Sequence, residues 1–117
     1  MKINLFANDT DYVSYAAGQT VFREGDGGEQ MFAVIDGTVE IVIRGKVVET
    51  ITVGGVFGEM ALIEQRPRIA TAVVKTDAKL VPIDRRRFEF LVQQSPFFAL
   101  QIMTIMAERL RRMDEEL

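Results

Sequence analysis

Between residues 12 and 84 the chain alternates short β-rich runs with glycine-bearing turns, and after Asp84 the hydrophobic pattern switches to a helical period. No other feature limits the fold as much. Runs of period two need a partner strand and bury one face, so a series of them separated by turns predicts an antiparallel barrel or roll. Strands are expected at residues 20–22, 31–35, 39–44, 47–53, 70–75 and 79–83. Asp36-Gly37 is a two-residue hairpin signal, and Arg44-Gly45-Lys46 marks a second reversal. Gly25-Asp26-Gly27-Gly28 is read as a plain loop, because neither a helix start nor a lysine follows it as a phosphate loop requires.

Asp84 suits a helix N-cap, and Phe88, Leu91 and Val92 then share one face. Pro96 separates this helix, over residues 84–95, from a second over residues 97–117. In the second, Phe98, Ile102 and Ile105 form one apolar stripe, which the roll is expected to cover. Ala99, Met103, Met106, Leu110, Met113 and Leu117 step by four and three, the spacing of a coiled-coil seam. That seam predicts a parallel homodimer through the C-terminal helix. A single wide face packed on the chain's own roll is the other reading of the same pattern.

Within residues 57–71 lies a group of residues that points to a ligand. Gly58 permits a close backbone approach, Glu59 follows at once, the apolar run Met60-Ala61-Leu62-Ile63 can form one helical turn, and Arg68 arrives nine residues after the carboxylate. Backbone amides near Met60 and Ala61 would face an anion, with Arg68 adding a charge-assisted fork. A carboxylate only accepts hydrogen bonds, so beside an anion the partner of Glu59 is a hydroxyl such as that of a ribose. Taken singly, Glu59 and Arg68 would read as solvated surface charges. Their spacing inside this run favours a site.

The order of these residues resembles the cyclic nucleotide-binding domain of bacterial cyclic-AMP receptor proteins and protein kinase A regulatory subunits. The resemblance extends to Gly18-Gln19-Thr20-Val21-Phe22-Arg23-Glu24-Gly25-Asp26, to the run from Met31 to Val39, and to Ile83-Asp84-Arg85-Arg86-Arg87-Phe88. It implies an α+β, mainly β fold: an antiparallel β-roll of jelly-roll or double-stranded β-helix type, carrying a phosphate-binding cassette and C-terminal helices, in one domain over residues 1–117. It also implies ligand-binding roles for Gly58, Glu59, Met60, Ala61, Arg68, Ile69 and Ala70, with Glu59 on the ribose and Arg68 on the phosphate. Alignment of the last helix puts Met113 and Asp114 where the receptor-protein branch carries the hydroxyls that read adenine, so the base is expected against Met113 or the stem of Arg112. The family usually carries alanine, serine or threonine where Ile69 stands. A hydroxyl there tends to accompany cyclic GMP, so its absence favours cyclic AMP.

A chain of 117 residues supports a single core. It stops within the helix after which the transcription-factor branch places its helix-turn-helix, and the net charge of -3 offers no general attraction to nucleic acid, so direct DNA binding is not expected. With no histidine, the chain lacks imidazole metal ligands and the base of a serine or cysteine triad, so it is expected to be neither a metal-cofactor protein nor an enzyme. No cysteine, no secretory leader and no run approaching ~20 apolar residues predict a cytoplasmic protein without a membrane segment. Arg85, Arg86, Arg87, Arg109, Arg111 and Arg112 gather on the helical part, where a solvated face offsetting Glu89, Glu108 and the acidic tail is the expected reading. Two functions fit: a sensor that binds cyclic AMP, or secondarily cyclic GMP, and moves its C-terminal helices against a dimer or effector surface; or a structural dimer that retains the fold without the ligand, marked by Ile69.

Overall fold

A computed structural model describes residues 2–115. Its elements in order are β1 (Val13–Tyr15), β2 (Thr20–Phe22), β3 (Gln30–Ile43), β4 (Lys46–Ile51), β5 (Val56–Phe57), α1 (Glu59–Glu64), β6 (Thr71–Asp84), α2 (Arg85–Gln94) and α3 (Pro96–Glu115). All strand pairs are antiparallel in one six-stranded sheet, with the open path β1-β6-β3-β4 and with β2 on β6 and β5 on β3. This is the β-roll with C-terminal helices.

Two strands that the sequence pattern divides are continuous. β3 runs through Asp36-Gly37 and β6 through Asp77-Ala78, the two pairing along most of their length with register shifts between Val34 and Val39. The expected hairpin at Asp36-Gly37 is therefore a bulged bend inside a strand. Gly37 has φ +83, and a Cβ there would lie 2.3 Å from the Asp77 carbonyl oxygen, so this bend requires glycine. The turn at Arg44-Gly45 does reverse the chain, from β3 into β4.

Strand alternation feeds two cores. In β3, Met31 and Ala33 join a cluster shared with the helices, whereas Phe32 and Val34 join one inside the roll; β6 divides likewise, with Val81 and Ile83 in the first and Val74, Ala78 and Leu80 in the second. Both faces are buried only over Met31–Val34 and around Leu80–Ile83, which explains the apolar runs there, whereas Lys75, Thr76, Asp77 and Lys79 of β6 are exposed. The inner cluster contains the rings of Phe32 and Phe57, stacked at 5.4 Å, with Phe22 packed beside them. The outer cluster receives Phe98, Ile102 and Ile105 of α3, the stripe expected to face the roll. Ile3 and Phe6 complete it, and the Phe6 ring meets Phe98 edge-on.

Asp84 caps α2 by accepting from the Arg87 amide at 2.8 Å, and Ser95 accepts from the Phe98 amide at 3.2 Å where α3 begins with Pro96. The two helices meet at 118°. Among the described residues, no single helix is long and apolar enough to cross a membrane.

The seating of α3 corrects the expected seam. With Ile102 and Ile105 facing the roll, Met106 falls on the flank and packs against the outer core, and Met113 lines a cavity. Ala99 is half-buried, while Met103 and Leu110 face outward together with Leu100 and Phe97, at 52–69% exposure. Leu117 lies outside the described residues. Steps of four and three fit more than one stripe of a straight helix, and the inward isoleucines decide which stripe stays free.

Candidate functional site

β5 leads into α1 through Gly58, the N-cap, whose φ of +83 is left-handed; a Cβ there would lie 2.8 Å from an Arg68 guanidinium nitrogen. Any other residue would be strained and would press on Arg68. The first-turn amides of α1 have no intrahelical acceptor, and Gly58 supplies no side-chain cap. The loop after α1 turns at Gln65, φ +55, and is stitched to the Gly25–Gly28 loop: the Arg68 amide donates to Asp26 O and the Gly25 amide donates to Arg68 O, both at 2.8 Å. Gly28 sits directly against Ala61, leaving no room for a side chain. The loop read as a plain connector thus positions both α1 and Arg68.

A cavity of about 430 Å³ lies between this cassette, the β3–β4 hairpin and α3. All seven residues assigned to the ligand from the sequence line it: Gly58, Glu59, Met60, Ala61, Arg68, Ile69 and Ala70. Arg112 and Met113 of α3 close its far side. Ile69 is 47% exposed at the wall, so its branched side chain sits at the opening.

Glu59 and Arg68 are both buried, at 1% and 5% exposure. Arg68 donates to the Gly58 carbonyl at 2.7 Å and to the Gln30 carbonyl, and its guanidinium lies 4.0 Å above the Phe22 ring. Its Nε has no hydrogen-bond partner. Burial lowers its pKa, and the charges of Glu59 and Asp26 only partly oppose this. Among the described residues no carboxylate forms a salt bridge with it. A buried guanidinium held by carbonyl dipoles and a ring face, with no carboxylate in direct contact among the described residues, is short of negative charge.

Glu59 is satisfied differently. Arg109 of α3 donates to it, to the Val56 carbonyl, and to both oxygens of Glu49 at 2.9 and 3.3 Å. Burial pulls the Arg109 pKa down, but Glu59 and then Glu49 outweigh this and the net shift is upward. Arg109 therefore stays charged, and its pairing fixes the Glu59 side chain beside the cavity. Arg109 is thus not part of the solvated arginine face expected from the sequence but is held by Glu49 and Glu59. A signal existed: stepping on from Ile102 and Ile105 by four reaches Arg109, on the face already assigned to the roll.

The arginines at the start of α2 are also not simply solvated. Arg85 donates to the Leu62 carbonyl of α1 at 2.7 Å and pairs with Glu89, while Arg87 pairs with Asp9 at 2.5 Å above the Phe6 ring. Arg86 and Arg111 are exposed. Arg85 links the cassette turn to the helices.

Residues 12–95 match the cyclic nucleotide-binding domain family. Over 81 residues the chain is 46% identical to a cAMP-dependent protein kinase regulatory subunit of Schizosaccharomyces pombe, covering 68% of this chain and 20% of that one. The structure resembles the Thermus thermophilus catabolite activator protein, with a TM-score of 0.80 and 28% identity over 92% of this chain and 54% of the other. It also resembles the second cyclic nucleotide-binding domain of a protein kinase A regulatory subunit bound to Sp-2Cl-cAMPS, with a TM-score of 0.77 and 30% identity over 89% of this chain and 69% of the other. The chain thus spans a fifth of the length of the kinase subunit it matches. With its β-roll, its cassette and a match across most of its length, this chain belongs to the cyclic nucleotide-binding domain family.

Proposed function

We propose that the cavity binds a cyclic nucleotide, cyclic AMP in preference to cyclic GMP, and that the chain acts as a regulatory sensor. One observation carries this reading: a buried arginine that, among the described residues, forms no salt bridge and a buried carboxylate paired with a second arginine line the same cavity. The first suits a cyclic phosphate. The second suits a ribose hydroxyl, because a carboxylate has lone pairs to spare after accepting from Arg109. The volume is within the range of small-ligand sites. The preference for cyclic AMP rests on Ile69, which brings no hydroxyl to the phosphate side, and on the relatives, whose names refer to cyclic AMP and an analogue.

Ligand entry is read out by the helices. Leu62 of α1 packs in the same cluster as Phe98, Ile102 and Ile105, and its carbonyl accepts from Arg85. A shift of α1 toward a phosphate would therefore act on both α2 and α3, to the extent that the ligand favours one helix arrangement over another. The outward stripe of Leu100, Met103 and Leu110 is the proposed homodimer surface, and a protein effector is the second proposed partner. Light scattering tests the dimer. Wild type is expected to be dimeric and Leu110→Glu monomeric, whereas a monomeric wild type rejects this surface.

Titration calorimetry on protein freed of retained nucleotide tests the sensor reading. A measurable heat with cyclic AMP, larger in affinity than with cyclic GMP, is expected. The absence of heat and of any thermal shift at millimolar nucleotide rejects the reading in favour of a structural role for the fold.

A further inference from the structure

One carboxylate, Glu59, is enough to balance the charge of the Arg109 guanidinium, yet Arg109 pairs with two. The second, Glu49, projects from β4 and also takes Arg112 at 3.2 Å, three residues further along α3. The result is a chain of alternating charge, Glu59–Arg109–Glu49–Arg112, crossing from the cassette to the outer flank of the helix. Neither the family resemblance nor the cassette spacing assigns Glu49 a role.

We propose that Glu49 is a positioning residue that holds the end of α3 over the cavity. Its place in the fold supports this. β4 belongs to the hairpin whose Ile41, Ile43, Arg44 and Lys46 form one cavity wall, while Arg112 and Met113 form the opposite one. Glu49 lies between them and is about four-fifths buried, with a side-chain exposure of 21% against 46% for Arg112. It joins a wall to a lid. Two arginines at i and i+3 project from one helix face, so a single carboxylate gripping both restrains rotation as well as lift-off. The Arg109–Glu49 bond, shielded from water at 13% and 21% exposure, is stronger than an exposed pair, and the half-exposed Arg112 adds the weaker grip.

This inference rests on the nucleotide reading for its effect on affinity. The cavity is complete only with α3 closed, since Arg112 and Met113 are among its walls. If Glu49 keeps α3 closed, its neutralisation lowers the fraction of competent protein, and affinity falls by that fraction. A lid effect is blind to the base. Glu49→Gln is expected to weaken cyclic AMP and cyclic GMP equally, by about five- to tenfold, and Arg112→Gln to weaken both by less. In the distance between β4 and α3, adding Arg112→Gln to Glu49→Gln should cause little further change, because the two side chains form one anchor.

The test has two arms. Because the chain lacks cysteine, spin labels can be placed uniquely through Val47→Cys on β4 and Arg111→Cys on the exposed side of α3. Without nucleotide, the wild-type background should give one narrow distance distribution, and Glu49→Gln a broader one extending to longer distances that saturating cyclic AMP narrows again. Calorimetry on the unlabelled variants then compares the two nucleotides. Identical distance distributions for wild type and Glu49→Gln overturn the proposal. So does a loss confined to one nucleotide, which would make Glu49 a base contact. If wild type binds no nucleotide, the sensor reading falls while the label distances still decide whether Glu49 anchors the helix.

Discussion

Arg68 and Arg109 line one cavity, both largely removed from water, but their surroundings differ in kind. Arg68, on the cassette side, meets carbonyls and an aromatic ring, and burial lowers its pKa. Arg109, on the helix side, meets two carboxylates, and its pKa is raised on balance. The contrast separates two tasks. A guanidinium that pairs with no carboxylate among the described residues is poised for an external anion, whereas one neutralised by direct ion pairs fixes structure. Placing each on a different element makes the cavity a junction between the roll and α3.

The largest expected effect tests the internal half of this contrast. Arg109→Leu leaves Glu59 buried without its cation, which is expected to cost about 3–5 kcal/mol in urea unfolding at neutral pH. A loss of less than about 1 kcal/mol would mean that Glu59 is solvated in solution and that the contrast is overstated. The variant Arg68→Gln is expected to behave in the opposite way. Relief of desolvation offsets the lost carbonyl bonds, so stability should change by about 1 kcal/mol or less, while nucleotide affinity falls roughly ten- to a hundredfold, or about 1.5–3 kcal/mol. Calorimetry and denaturation on the same preparation separate the two outcomes. If Arg68→Gln unfolds readily and Arg109→Leu does not, the roles are reversed.

A smaller effect is expected at the opening. Ile69→Ala keeps the amide and removes bulk from the cavity wall, so cyclic AMP should bind a few-fold more tightly, a gain of less than about 1 kcal/mol. An unchanged or weaker constant would show that Ile69 does not restrict the ligand.

The smallest concerns Asp9, far from the cavity. Its hydrogen bond from Arg87, aided by the Asp11 amide, lowers its pKa from the ordinary 3.8. A lowered carboxylate pKa means that the unfolded chain binds the proton more readily, so the pair's contribution is complete above about pH 4 and is lost as pH falls through the folded-state value. Asp9→Asn should therefore be less stable than wild type by about a few tenths of a kcal/mol at pH 7 and indistinguishable near pH 2, measured by thermal melts. A difference that persists at pH 2 would assign the effect to packing.

How far these features were legible in the sequence differs between the two arginines. Arg68 could be read locally, because Gly58, Glu59 and the turn that presents it lie within a dozen residues. For Arg109 only its helix face could be read, since its partners Glu49 and Glu59 lie 60 and 50 residues away and only the folded chain brings them together. The same limit applies to the strands. Asp36-Gly37 carries the local chemistry of a hairpin, but pairing with β6 keeps the chain extended and turns the glycine into a bulge. β5 comprises Val56–Phe57, too short to show a period, and Phe6 enters the core from a segment with no regular pattern. The α3 seam illustrates a further case: periodicity identified two apolar stripes, and packing, which decides where each faces, sent Met106 inward and left Leu100 free.

A crystal structure grown with saturating cyclic AMP tests the central claim most directly. The cyclic phosphate is expected against Arg68 and the amides of Met60 and Ala61, the ribose hydroxyl on Glu59, and Arg109 still paired with both Glu59 and Glu49. A cavity empty at saturation, or a nucleotide whose phosphate lies on Arg109 with Arg68 still bound only to carbonyls, would contradict it.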